Sequence, residues 1–139
     1  MLINKTMRKY SLFTMIAVFS VATLTLSGFL NFKEDQVRHI VVFKYKAGAT
    51  TQQIQQVTKA FGDLKKAIPG IVSFEHGVND SPENKNAGFT HVYMVTFENT
   101  KARDTYLPHP EHKKFGELLG KLDILEDLFV VDYSAKIKL

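Results

Sequence analysis

The chain predicts an α+β protomer of element order β-α-β-β-α-β, the split arrangement of ferredoxin-like folds. Three observations predict it. Four stretches rich in Val, Ile, Phe and Tyr are bounded by polar turns, as strands are. The regions between them place apolar residues at helical spacing. A proline-interrupted segment, "TYLPHPEHKKF" at 105–115, breaks the second helical region into two pieces.

In chain order, "VRHIVVFKY" (37–45) reads as the first strand and "KAGAT" as a turn. "TTQQIQQVTKAFGDLKKAI" then puts Ile54, Val57, Phe61, Leu64 and Ile68 on one helical face. Thr50 and Gln53 have the spacing of a capping box, and Pro69-Gly70 stops the helix. "IVSFEHGVN" (71–79) is the second strand, "DSPENKNAG" (80–88) a surface loop and "FTHVYMVTF" (89–97) the third strand. Asn99 caps a short helix, "TKARDTYL", which ends before Pro108. A further helical piece starts at Pro110, where a missing N–H costs nothing, and runs through Phe115, Leu118 and Leu119. "DLFVVDY" (127–133) closes as the fourth strand.

Strand residues alternate sides. Val37, Val41 and Phe43 share a face with His39, whereas Ile40 and Val42 lie opposite. Phe89, Tyr93, Val95 and Phe97 share a face with His91, whereas Val92 and Met94 oppose them. Both sheet faces are therefore apolar, and two helical regions cover one. A second copy of the chain is the simplest cover for the other, so the sequence predicts a homodimer with its sheets packed together. The N-terminal leader or a different partner is the alternative cover.

Of 139 residues, 18 are Lys or Arg and 14 are Asp or Glu. Lys5, Arg8 and Lys9 precede an uncharged run, 11–30, and every acidic residue follows it, so the rest is close to neutral. No Lys/Arg stripe with interleaved aromatics is present, which speaks against a nucleic-acid partner. Residues 1–30 have the order of a signal peptide, basic start then apolar run then small residues, or of an uncleaved signal anchor. Met7 is an alternative start. Residues 31–36 form a linker and 37–135 the domain. Export to an extracytoplasmic location is expected, with membrane anchoring as the alternative. The chain has no cysteine, which excludes disulfides and thiol chemistry.

The chemistry-bearing residues are His39, His91, His109, His112, Tyr106 and Asp132. A lone histidine on an apolar strand is usually a satisfied core residue. Two on neighbouring strands, with Asp132 interrupting the apolar phase of Leu128 and Val130, point to a polar site, because a carboxylate there needs a cationic or N–H partner. Pro108 and Pro110 make the bend that lowers Tyr106 and His112 toward it. His109-x-x-His112 falls short of the three or four ligands a metal requires, so neither metal nor cofactor is expected.

The stretches "VRHIVVFKYK", "IPGIVSFEHGVN", "FTHVYMVTFENTKARDTYLPHPEHKKF" and "LFVVDY" resemble the stress-responsive α/β barrel (Dabb) domain family over residues 37–133. The resemblance implies that two ferredoxin-like protomers pair into a dimeric α+β barrel. The family includes stress-associated proteins and plant polyketide cyclases. From the cyclase type it implies a catalytic pair, His112 as base and Tyr106 as oxyanion donor, with His39, His91 and Asp132 as supporting residues of the pocket and Asp132 orienting His112; with Phe61 and His109 these make up the expected ligand-binding set. Phe61 stands where that type carries a tyrosine, and "GELLGKLDILED" is longer than in plant members. Three functions follow: a non-catalytic homodimer that is small-molecule-binding or stress-associated, a cyclase- or lyase-type enzyme acting on a small carbonyl compound, and, less favoured, oxidation chemistry.

Overall fold

A computed structural model of the protein describes residues 35–136. The expected leader and most of the expected linker lie outside the described residues. The elements are β1 (Val37–Tyr45), α1 (Thr51–Ala67), β2 (Ile71–Val78), β3 (His91–Phe97), α2 (Thr100–Tyr106), α3 (Pro110–Leu122) and β4 (Leu125–Ser134). The four strands form one antiparallel sheet in the order β2-β3-β1-β4. This is the expected ferredoxin-like α+β protomer, with its second helical region split in two.

Local chemistry sets the boundaries. Thr50 and Gln53 make the full reciprocal capping box at the start of α1. The chain leaves α1 through Gly70, whose φ of +88° suits glycine. A Cβ there would lie 2.6 Å from the Ala102 Cβ, so Gly70 also lets α2 come close. Asn99 accepts from the Ala102 N–H and starts α2.

Two expectations are adjusted. The third strand begins at His91, and Phe89 packs edge-on against Phe129 instead of sharing the Tyr93 face. The segment after α3 adds no loop: Asp123 turns the chain in the left-handed region, Ile124 enters the core, and β4 starts at Leu125, earlier than its apolar run suggests.

The core lies between the sheet and the helices. Val57, Phe61, Leu64 and Ile68 bury against Val41, Phe43, Tyr93, Val95 and Phe97, with Phe115 from α3. Each such side chain contributes about 1.5–3 kcal/mol. Ile54 stays half-buried at the edge of this stripe. On the opposite face, Ile40, Val92 and Met94 are half-buried, and Phe129, Val131 and Tyr133 are exposed. No described element covers them. Edge strand β4 also leaves Leu128 and Val130 exposed on the helix side.

Candidate functional site

The proline bend builds the site through its freed backbone groups. In an unbroken helix the Leu107 carbonyl would accept from the Glu111 N–H. Here the His109 ring caps α3, and its Nδ1 accepts that N–H at 3.2 Å. Pro110 has no N–H to offer. The Leu107 carbonyl is left for His112, whose Nδ1 lies 3.0 Å away. A carbonyl only accepts, so Nδ1 carries the proton and, in the neutral ring, Nε2 keeps its lone pair. His109 is thus the residue that caps the helix and releases the acceptor that sets the tautomer of His112.

His112 leans over Tyr106, with ring centroids 4.2 Å apart. Tyr106 is fully buried between Phe97 and His39, at 5.0 and 5.7 Å. Its hydroxyl has no hydrogen-bond partner among the described residues. Burial, reinforced by the charge on Asp132, pushes this hydroxyl above its ordinary 10.0, so it is a donor.

Strand pairing makes the remaining contact. β1 and β4 are neighbours, and their register places His39 opposite Asp132. His39 Nδ1 donates to Asp132 Oδ1 at 2.6 Å. Arg103 of α2 donates from Nη1 to Oδ2 of the same carboxylate. Burial pulls His39 below its ordinary 6.5, and Asp132 opposes that shift only in part. Asp132 has the cationic and N–H partners that its apolar strand required, but they are Arg103 and His39. It does not orient His112, which the Leu107 carbonyl holds instead.

The structure therefore brings His39, Asp132, Tyr106 and His112 together. His91 stands apart, opposite Phe43 in the β1–β3 register, with Nδ1 2.9 Å from Thr90 Oγ1 and its ring 4.8 Å from Tyr45. Phe61 belongs to an aromatic core with Phe43, Phe74, Tyr93 and Phe115. Sequence reasoning missed Arg103. Its signal was present: it lies three residues before Tyr106, a spacing that puts both on neighbouring faces of α2. No group of three or more His, Asp or Glu among the described residues is placed to hold a metal.

The arrangement has the parts for acting on a carbonyl compound: a neutral donor in a buried position and an imidazole lone pair beside it. The chain was compared with known protein families, curated proteins and solved structures. A family model described as the stress responsive A/B barrel domain matches residues 37–135. The chain is 33% identical over 99 residues to the stress-response A/B barrel domain-containing protein HS1 of Arabidopsis thaliana, covering 70% of this chain and 88% of that protein. It is 31% identical over 100 residues to olivetolic acid cyclase of Cannabis sativa, covering 72% and 97%. Among solved structures, a hydroxynitrile lyase from Passiflora edulis is 26% identical with a TM-score of 0.67, covering 76% and 97%. A dimeric protein of unknown function and ferredoxin-like fold from Bacteroides fragilis is 26% identical with a TM-score of 0.57, covering 75% and 100%.

Proposed function

The chain belongs to the stress responsive A/B barrel domain family, and on that premise we propose that it is an extracytoplasmic homodimer that binds a small carbonyl compound at Tyr106 and His112. The observation that carries this reading is the fully buried Tyr106 hydroxyl without a described partner. Leaving such a group unpaired costs about 1–3 kcal/mol, and an acceptor oxygen on a ligand removes that cost. The dimer is supported by the uncovered apolar face and by the dimeric relative from Bacteroides fragilis. The leader supports export.

A second reading, proton abstraction, is favoured by the tautomer of His112 and by the cyclase and lyase among the similar proteins. His112 Nε2 takes a proton from the carbon between two carbonyls. The electron pair moves onto a carbonyl oxygen, which accepts from the Tyr106 hydroxyl. Return of the proton from His112 restores the substrate.

Acetylacetone tests both readings. Saturable shifts of the His39 and His112 ring signals, weakened in Tyr106→Phe, support binding; their absence refutes it. Catalysed deuterium exchange at its central carbon, lowered about 10²–10⁴-fold in His112→Ala, supports catalysis. Binding without exchange leaves the non-catalytic reading standing and rejects the second.

A further inference from the structure

A separate cleft opens on the helix side of the sheet, at the β2 edge. Its volume is about 890 Å³, within the range of small-molecule sites. Phe74, His76 and Val78 of β2 form its floor, and a stripe of α1 forms its wall. None of His39, Tyr106, His112 or Asp132 lines it. The cleft lies on the helix side of the sheet, so a dimer built on the far face leaves it accessible.

Three features suit it to a ligand. The first is an aromatic floor: Phe74 and His76 lie 5.8 Å apart and His76 stacks on Tyr93 at 6.2 Å. Gly62 in the wall leaves the Phe74 ring edge bare, where a Cβ would approach it to 3.2 Å. The second is charge. The fixed charges are Lys59, Lys66 and Asp63, and Asp63 contacts Lys59 at 2.5 Å and Lys66 at 3.5 Å. Two cations against one anion leave the cleft positive, with Lys66 the more loosely held. The third is an adjustable polar group. Thr58 Oγ1 lies 2.9 Å from the Tyr93 hydroxyl, which lies 3.0 Å from that of Tyr45. Three hydroxyls share two hydrogen bonds, so one hydrogen is left over and Thr58 can present it to the cleft. His91 closes the end, its ring edge-on to Tyr45.

We propose that this cleft is a second ligand site, for a planar aromatic monoanion whose ring lies on Phe74 and His76 and whose anionic group meets Lys66. The reading does not depend on the Tyr106 site. The probe is 2-naphthoate, added to the full-length protein while the five histidine ring signals are followed by NMR. The expected result is a saturable shift of His76 and His91, with His39 and His112 unmoved. Lys66→Glu, at a side chain 86% exposed and therefore safe for folding, weakens binding about three- to tenfold. Uncharged 2-naphthamide binds less tightly than naphthoate. Absence of a saturable shift at millimolar probe overturns the proposal, as does a shift confined to His39 and His112. Equal binding of the amide, or no effect of Lys66→Glu, overturns the assignment of an anionic ligand.

Discussion

Replacing Tyr106 by Phe removes one oxygen and leaves the ring in place between Phe97, His39 and His112. Such a change usually destabilises a buried tyrosine, because a hydrogen bond is lost. Here the hydroxyl is buried without a described partner, so the sign reverses. Folding strips it of water at a cost of about 1–3 kcal/mol, and Phe avoids that cost. The ligand-free variant is therefore expected to be more stable by about 1 kcal/mol or more, raising Tm by roughly 4–8 °C per kcal/mol for a domain of this size. Acetylacetone should bind it about five- to tenfold more weakly, the worth of one neutral hydrogen bond. Urea unfolding of both proteins, with and without acetylacetone, measures both effects. A ligand-free Tyr106→Phe protein less stable than the parent by about 1 kcal/mol would refute the reasoning, since the hydroxyl would then be satisfied in the folded protein.

Stability should also depend on pH through His39. Its folded value lies below the ordinary 6.5, so the folded protein binds fewer protons than the unfolded chain in that range. The contribution is complete above 6.5 and is lost as pH falls through the folded value. Urea midpoints between pH 8 and 5.5 should drop in the parent and drop less in His39→Gln; equal slopes would remove His39 from the account. Val131→Glu places a charge on the uncovered apolar face and should raise the dimer dissociation constant at least about tenfold by sedimentation equilibrium. A monomeric parent would reject the dimer itself. Gly70→Ala should cost about 2 kcal/mol or more in urea, from its positive φ and the approach of Ala102; an unchanged midpoint would show that the α1–β2 turn yields easily.

Much of the fold was legible in the sequence because it rests on local rules. Period-two and helical spacing located the elements, and Thr50 and Asn99 announced two helix starts. Pro108 and Pro110 announced the bend. The boundaries that moved were those of the third and fourth strands, where apolar residues continue past the end of regular pairing or begin after it. Phe89 is apolar enough for a strand but packs on Phe129 outside it.

From the residues alone it follows that Asp132 needs a partner and that Tyr106 and His112 are neighbours across a broken helix. Only the tertiary structure decides which partner and which neighbours. Sheet order sets β4 beside β1 and so brings Asp132 to His39, 93 positions earlier in the chain, while α2 supplies Arg103. The separate β1–β3 register sets His91 opposite Phe43, at the end of the other cleft. Spacing along a chain governs caps, turns and faces because those interactions span a few residues. Strand order and register emerge only when distant segments pack, and they determine which charges meet.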